Sequence, residues 1–198
     1  IAVKLAKGFV STPMVSLGVV KENASLGVVI TASHNPPSYN GFKLKGDFGG
    51  PLLQADITDI ENKIPDVNTI DYDDVTIAYL VSEDRINYID LEDLYCKHVE
   101  KNFDISAIRK SNMNFAYDSM YGAGKNAVKR LLPKATLLHC SDNPGFHGVA
   151  PEPIHRNLHE FSELMRDNNL DCGLATDGDA DRIGLYDRNG NFIDSHHI

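Results

Sequence analysis

The segment TDGDADR carries three carboxylates at alternate positions, Asp177, Asp179 and Asp181. In an extended loop this spacing directs the three side chains to one side, where they repel one another unless a cation lies between them. The small residues Gly178 and Ala180 leave room for such an ion. Because Mg²⁺ prefers carboxylate and water oxygens, the spacing favours a Mg²⁺ site over the alternative, a solvated acidic turn.

A calcium-binding EF-hand loop is the obvious competing interpretation of these aspartates. Counted from Asp177, that loop requires glycine at its sixth position and glutamate at its twelfth. This chain has Arg182 and Arg188 there, so the EF-hand interpretation fails. The aspartates also follow a short apolar run, DCGLA, that predicts a buried strand, and ligands gather at the carboxyl ends of strands in open α/β sheets.

A second candidate segment, ITASHNPPSYNGFKLK, ends an apolar run with Ser33 and His34 on a proline-rich loop. A serine hydrolase is disfavoured, because the GxSxG motif is absent and neighbouring side chains on extended backbone point apart. A serine can instead carry phosphate, with a charge of about −1.5 to −2. The aspartates could then hold a metal, while Lys43, Lys45 and Arg182 supply positive charge. His34 and Lys43 are candidates for proton transfer, and an ordinary strand-end loop is the alternative.

Two further patterns give no functional prediction. SMYGAGKNA approaches a phosphate-binding P-loop, but that motif requires glycine where this chain has Ser119, and serine or threonine where it has Asn126. His196 and His197 could form a metal pair, although a strand end or loop is the more ordinary interpretation.

Composition restricts the class of partner. The chain has 198 residues and a net charge of −9, which argues against a nucleic acid or a membrane surface but leaves a small anionic substrate open. No apolar run approaches the roughly 18 residues that span a bilayer, and no signal peptide is visible. The three cysteines (Cys96, Cys140 and Cys172) form no CxxC pair, which predicts free thiols in a cytoplasmic protein.

The first element that positions these loops is a helix that begins at the end of FVSTP. Ser11 or Thr12 can cap this helix, and Pro13 fits its first position. This helix should extend to about Ala24. The run LGVVITAS then predicts a buried strand, and a glycine-rich turn region leads to a helix near residues 55–63.

An acidic stretch from residue 56 to 104 ends in a predicted amphipathic helix, which we expect to connect two domains. From Met113 onwards the pattern alternates strands and helices, with a final strand or hairpin around Asn189. The sequence therefore predicts two consecutive α/β domains, residues 1–88 and 89–198, with mixed, mainly parallel sheets covered by helices.

Taken together, TASHNPPSYNGFKLK and TDGDADRIG resemble the α-D-phosphohexomutase family, in its phosphoglucomutase/phosphomannomutase branch. YDSMYGAG and PEP resemble further family segments. The resemblance implies that Ser33 is phosphorylated, and that a phosphoserine oxygen completes a Mg²⁺ site formed by the three aspartates (Asp177, Asp179 and Asp181). It also implies that Arg182 contacts the phosphoserine or substrate, that Lys43 is a general acid/base, and that His34 lines the same pocket.

The implied reaction interconverts hexose 1-phosphate and hexose 6-phosphate, of glucose or mannose, with a hexose 1,6-bisphosphate as primer and intermediate. Family members have four domains, and this chain resembles the later part of the first and most of the second. We therefore expect the chain alone to be inactive or very weak without domains three and four. The alternatives are a phosphoglucosamine mutase, in which a serine more often stands where this chain has Thr31, and a non-catalytic sugar-phosphate or metal-binding paralogue.

Overall fold

A computed structural model describes residues 1–194, and the histidine pair at positions 196 and 197 lies outside the described residues. None of the described helices is both long and apolar enough to cross a membrane. The first half of the chain folds into strands β1 to β4 and helices α1 to α3. In chain order they are β1 Val3–Ala6, α1 Thr12–Lys21, β2 Leu26–Thr31, β3 Gly41–Gly46, α2 Gln54–Glu61, α3 Ile77–Ser82 and β4 Ile86–Ile89.

Helix α1 starts where the sequence predicts. Ser11 precedes it in extended conformation, and its hydroxyl accepts a hydrogen bond from Met14 N at 3.3 Å. Pro13 lies in the first turn, where a backbone N–H would have no intrahelical partner anyway. The helix ends at Lys21, slightly earlier than predicted, and Asn23 then turns the chain with a φ of 49°.

Strand β2 forms an antiparallel hairpin with β3, a strand that the sequence analysis did not predict. Alternate residues of β2 are buried and exposed, since Val29 is 7% exposed and Ile30 is 68% exposed. The predicted strand is present, but its predicted burial holds for one face only, because β2 packs that face against α1 and leaves the other in solvent. The hairpin register sets Lys43 opposite Val29, which fixes the position of this lysine relative to the loop after β2.

The second half of the chain forms one five-stranded sheet. Its elements are α4 Leu91–Asn102, α5 Ile105–Lys110, β5 Phe115–Asp118, α6 Lys125–Leu131, β6 Thr136–Leu138, α7 His159–Asp167, β7 Cys172–Thr176, β8 Ile183–Asp187 and β9 Phe192–Ile193. The strand order is β6-β5-β7-β8-β9. The sheet is mixed, because β5 pairs in parallel with β6 and β7, whereas β7–β8 and β8–β9 are antiparallel.

Helix α7 covers this sheet and supplies much of its core. Phe161 and Met165 on α7 are fully buried, and Phe161 meets Tyr186 of β8 edge-on, with ring centroids 5.4 Å apart. A short 3₁₀ turn, His155–Asn157, precedes α7. Burial of large side chains of this kind contributes about 1.5–3 kcal/mol each.

A second apolar cluster joins the two halves of the chain. It contains Met14 of α1, Leu91 and Cys96 of α4, and Ala127 and Leu131 of α6. Helix α4 is the amphipathic connector that the sequence predicted, and it packs on α1 and on α6. This shared core fixes the first half against the second, and so fixes the loops that meet between them.

An ion pair between a buried aspartate and a half-buried histidine, at the ends of β5 and β6, gives the folded chain a pH dependence. Asp118 is 1% exposed and lies 3.0 Å from His139 Nδ1. The hydrogen bond to Asp118 raises the pKa of His139, although burial opposes the shift. Because the folded pKa is raised, the stabilisation is fully present below about pH 6.5 and is lost as the pH rises through the folded value.

We expect His139→Asn to lower the free energy of unfolding below about pH 6.5, with a difference from wild type that shrinks at higher pH. Asparagine suits the variant because His139 has a φ of 48°, a left-handed conformation that asparagine tolerates. Denaturant titrations across neutral pH measure the effect. His147→Asn is the control, because His147 is exposed and has a similar φ of 49°. A stability difference that stayed constant with pH would contradict the assignment.

Candidate functional site

Three segments from the two halves of the chain meet at the candidate site. Ser33 lies on the loop after β2, Lys43 lies on β3, and the aspartate turn follows β7. Ser33 Oγ donates a hydrogen bond to Asp177 Oδ2 at 3.1 Å, across 144 residues of sequence. Lys43 Nζ lies 2.7 Å from Asp179 Oδ2 and 3.0 Å from Asp181 Oδ2. The structure thus brings together five of the seven predicted site residues through their side chains.

The serine loop holds its own conformation. Ser33 has a φ of 53°, and its backbone N–H donates to Thr31 Oγ1 at 2.8 Å. The side-chain amide of Asn35 donates to Ala32 O at 3.1 Å, and its backbone N–H donates to the same oxygen at 2.9 Å. A left-handed residue other than glycine costs about 1–2 kcal/mol, so these hydrogen bonds maintain a conformation that aims Ser33 at Asp177.

The aspartate segment is a tight turn, so the expectation of an extended loop is wrong. Ala180 has a φ of 53°, and its N–H donates to Asp177 O at 3.1 Å. The backbone N–H groups of Asp181 and Arg182 donate to Asp177 Oδ1 at 3.0 and 3.1 Å. Asp177 therefore organises the turn through one oxygen and meets Ser33 through the other.

Asp177 and Asp179 of the turn lie close together and are buried, and both effects act on their pKa values. Burial, and then the neighbouring Asp179, raise the pKa of Asp177 to about 7. Burial also acts to raise the pKa of Asp179, but hydrogen bonds from Lys43 and Thr12 outweigh it and lower that pKa. The pKa of Lys43 is raised, because its bonds to Asp179 and Asp181 outweigh the effect of its own burial. The site therefore keeps Lys43 as an ammonium beside ionised Asp179.

The residues present fit a divalent cation. Asp177, Asp179 and Asp181 each offer an oxygen, and these oxygens lie within 4.8 Å of one another. Asp179 Oδ1 is buried and has no hydrogen-bond partner among residues 1–194. An unpaired buried carboxylate oxygen is costly, and a hard cation with oxygen ligands would satisfy it. Asp181 is exposed, so one side of the cluster remains open to solvent or substrate.

His34 and Arg182 are near the site without joining its hydrogen bonds. His34 is half-buried, and its Nδ1 atom is buried with no partner in the described part of the chain. Arg182 is exposed and contributes its backbone N–H to the turn. Within residues 1–194, no hydrogen bond or ion pair links either side chain to Ser33, Lys43 or the aspartates.

Thr12 is a site residue that the sequence analysis did not recognise. The local sequence pattern indicates only a helix cap at Thr12, whereas its hydroxyl donates to Asp179 Oδ2 at 2.7 Å. Its backbone N–H also donates to Asp179 O at 2.9 Å. The two residues are 167 positions apart, so no local pattern could have paired them.

Gly178 allows the serine loop and the aspartate turn to touch. A Cβ atom at Gly178 would lie 2.4 Å from Ser33 O and 3.2 Å from Pro151 Cγ. The first contact is to backbone, which a side-chain rotation cannot relieve. The glycine in the TDGDADR segment is therefore required by the close approach of the two loops, in addition to leaving space for an ion.

We expect Gly178→Ala to push Ser33 away from Asp177 and to destabilise the fold by about 1–3 kcal/mol through overpacking. Denaturant titration measures the stability, and Mg²⁺ titration measures the effect on the site. Gly145→Ala is a matched control, because a Cβ there meets only Asn143 Oδ1 at an ordinary 3.5 Å. Equal stability of the two variants would contradict the close approach of Gly178 to Ser33.

A cleft of about 970 Å³ opens beside the serine loop, between the two halves of the chain. The first half contributes Thr31, Tyr39 and Asn40, and the second contributes Tyr121 and Lys125. The site is therefore next to a space that can admit a small polar molecule.

Comparison with known proteins identifies the family. The family model described as phosphoglucomutase/phosphomannomutase, alpha/beta/alpha domain I, matches residues 1–70. The corresponding model for domain II matches residues 93–190. The chain belongs to the phosphoglucomutase/phosphomannomutase family, and its two α/β units correspond to domains I and II. The resemblance that the motifs indicated, and the predicted fold class, are confirmed.

Individual relatives agree with this assignment. A "Probable phosphoglucosamine mutase" of Methanosphaera stadtmanae is 34% identical over 196 residues, covering 96% of this chain and 41% of the relative. A phosphoglucomutase of Neisseria meningitidis serogroup B is 33% identical over 194 residues, covering 94% and 39%. The crystal structure of a Thermus thermophilus protein assigned as a phosphomannomutase superposes with a TM-score of 0.84 at 31% identity, covering 99% of this chain and 44% of that one.

The extent of the match limits what transfers to this chain. The chain spans about two fifths of the length of the curated relatives it matches, 41% and 39% for the two above. Their names include both phosphoglucosamine mutase and phosphoglucomutase, so the preferred sugar does not follow from the family.

Proposed function

We propose that this chain supplies the phosphocarrier and metal-binding half of a phosphosugar mutase, which interconverts hexose 1-phosphate and hexose 6-phosphate. The observation that carries the proposal is the hydrogen bond from Ser33 Oγ to Asp177, at the edge of a carboxylate cluster that also holds Lys43. A serine that carries phosphate needs cations beside it. Three carboxylates can hold a metal cation there, and the function of an ordinary loop serine does not require such a cluster.

In the proposed reaction, phosphorylated Ser33 transfers its phosphoryl group to a hexose monophosphate. The sugar hydroxyl oxygen bonds to phosphorus, the bond from phosphorus to Ser33 Oγ breaks, and a hexose 1,6-bisphosphate forms. The bisphosphate reorients and returns its other phosphoryl group to Ser33 by the same step in reverse. Each cycle thus regenerates the phosphoserine, and the bisphosphate also primes an unphosphorylated chain.

Charged side chains of the chain handle the proton and the phosphate. Lys43 is the proposed acid/base that shuttles the hydroxyl proton: its raised pKa favours an ammonium, which delivers a proton to Ser33 Oγ as the phosphoryl group leaves, and the resulting amine accepts the proton of the attacking sugar hydroxyl. His34, whose Nδ1 atom lacks a partner in the described residues, is the second candidate for the sugar hydroxyl proton. The exposed guanidinium of Arg182 is proposed to bind the phosphoserine or substrate phosphate.

The proposed cofactor is one Mg²⁺ ion, held by Asp177, Asp179 and Asp181 together with an oxygen of phosphorylated Ser33. When bound, it would supply positive charge that stabilises the serine oxygen as that oxygen leaves and attacks. The unpartnered Asp179 Oδ1 atom supports this assignment.

The proposal includes the organisation of the chain. We place the boundary between the domains at residues 88 and 89, near the end of β4 and just before the connector helix α4. Full activity is proposed to need the remainder of the length that the relatives have, which would contribute the surfaces that recognise the sugar. A cytoplasmic location is part of the same proposal, supported by three free cysteines.

A phosphoglucosamine mutase is the second candidate, and the 34% identity to the Methanosphaera stadtmanae relative favours it. Thr31, where that branch more often has a serine, weighs weakly against it. The third candidate is a non-catalytic paralogue that binds a sugar phosphate or metal. The presence of Ser33, Lys43 and all three aspartates in one hydrogen-bonded cluster supports a working site over a decayed one.

A coupled assay on the full-length protein that contains this chain tests the proposal. Mg²⁺ and a hexose 1,6-bisphosphate primer are supplied, with the 1-phosphates of glucose, mannose and glucosamine in turn. Turnover of glucose or mannose phosphate supports the first candidate, and preference for glucosamine phosphate supports the second. Absence of turnover on all three, from folded protein that binds Mg²⁺, would leave the non-catalytic paralogue.

A further inference from the structure

Thr12 makes contacts that its place in helix α1 does not explain. The helix cap is supplied by Ser11, whose hydroxyl accepts from Met14 N at 3.3 Å. The Thr12 hydroxyl is therefore free of capping, and the residue is only 3% exposed. It donates instead to Asp179 Oδ2 at 2.7 Å, and the Thr12 N–H donates to Asp179 O at 2.9 Å. Two bonds from one residue thus hold the side chain and the backbone of Asp179.

These bonds divide the two oxygens of Asp179 into different roles. Oδ2 accepts from Thr12 Oγ1 and from Lys43 Nζ, both at 2.7 Å. Oδ1 has no hydrogen-bond partner among the described residues, although it is buried. A carboxylate with one oxygen bound by two donors and its backbone held cannot rotate freely, so the direction of Oδ1 is fixed.

The same bonds connect the two halves of the chain. Thr12 begins α1 in the first half, and Asp179 lies in the turn after β7 in the second half. Two residues further along α1, Met14 belongs to the apolar cluster that also contains Leu91 of α4. The start of α1 is thus anchored by apolar packing on one side and by Asp179 on the other, which makes it a rigid support for the aspartate turn.

We propose that Thr12 is a positioning residue of the metal site: it binds Asp179 Oδ2 and thereby presents Asp179 Oδ1 to the cation. This inference rests on the proposed Mg²⁺ site. Removing the hydroxyl would leave Oδ2 with Lys43 alone and would free the carboxylate to turn. Loss of a hydrogen bond to a charged group corresponds to roughly a tenfold or larger change in an equilibrium constant, so Mg²⁺ affinity should fall by about that factor.

The test uses three variants of the chain. Thr12→Val removes the hydroxyl at nearly constant volume, and Thr12→Ser retains it. Ser11→Ala is the structural control, since it removes the helix cap next to Thr12 without touching Asp179. Mg²⁺ affinity is measured by titration calorimetry and fold stability by thermal denaturation, so neither readout requires turnover.

We expect Thr12→Val to bind Mg²⁺ about tenfold more weakly, Thr12→Ser to bind within about twofold of wild type, and Ser11→Ala to lose thermal stability while keeping its Mg²⁺ affinity. If the wild-type chain binds Mg²⁺ but Thr12→Val binds it equally well, the positioning role of Thr12 is wrong and the metal site still stands. The same conclusion follows if Ser11→Ala weakens Mg²⁺ binding as much as Thr12→Val does. Absence of Mg²⁺ binding by the wild-type chain would overturn the metal site and the positioning role together.

Discussion

Replacing Ser33 with alanine is expected to lower mutase turnover of the full-length protein by about 10⁴-fold or more, because the variant lacks the hydroxyl oxygen proposed to carry the phosphoryl group. The fold should survive the change, since the Ser33 hydroxyl makes a single hydrogen bond, to Asp177, among the described residues. A coupled assay with saturating primer and Mg²⁺ measures turnover, and circular dichroism with thermal denaturation verifies the fold.

Ser38→Ala is the matched control for this variant. Ser38 lies on the same loop, five residues further along, and is exposed. It should retain wild-type turnover. If Ser33→Ala retained turnover comparable to that of Ser38→Ala, Ser33 would not be the phosphocarrier, whatever its position beside the aspartates.

The second large effect is expected for Asp179→Asn. The asparagine side chain would keep the shape of the aspartate but remove the charge that attracts a cation, and it would weaken the contact with Lys43. Because changes outside the direct ligands of a metal already cost about 10- to 100-fold in affinity, removing the charge of a direct ligand should cost about 100-fold. Mg²⁺ titration calorimetry on the 198-residue chain measures this without any need for activity.

Asp66→Asn is the control, because Asp66 is exposed and lies far along the chain from the turn after β7. Asp66→Asn removes one negative charge without changing a candidate ligand, so it measures how far net charge alone affects Mg²⁺ affinity. Unchanged Mg²⁺ affinity in Asp179→Asn would contradict the metal assignment. Equal weakening in both variants would show that the ion responds to overall charge and has no defined site.

The elements of the fold were largely predictable from local patterns. The cap at Ser11 fixed the start of α1, and alternation of apolar runs with helical periods located β5, α6, β7 and α7. Strand β3 was not predicted, because the segment from Gly41 to Gly46 contains two lysines and no β-branched residues, and it looked like a turn. Its strand character arises from pairing with β2, which is a tertiary effect.

The contents of the site were predictable, but its geometry was not. The two segments that contain Ser33 and the aspartates were recognisable by residue type and spacing, and the family resemblance linked them. Nothing in the spacing shows that the aspartate segment is a tight turn, because that depends on the left-handed Ala180 and on hydrogen bonds to Asp177. Thr12 was missed because its partner lies on another element in the other half of the chain.

Transfer of the phosphoryl group to Ser33 can be followed directly with a radioactive label. Full-length protein is incubated with Mg²⁺ and a hexose 1,6-bisphosphate labelled with ³²P, and the labelled peptide is then identified by mass spectrometry. We expect label on Ser33, absent from Ser33→Ala and chased from the protein by unlabelled hexose monophosphate. Label on a different residue, or none on folded protein that binds Mg²⁺, would contradict it.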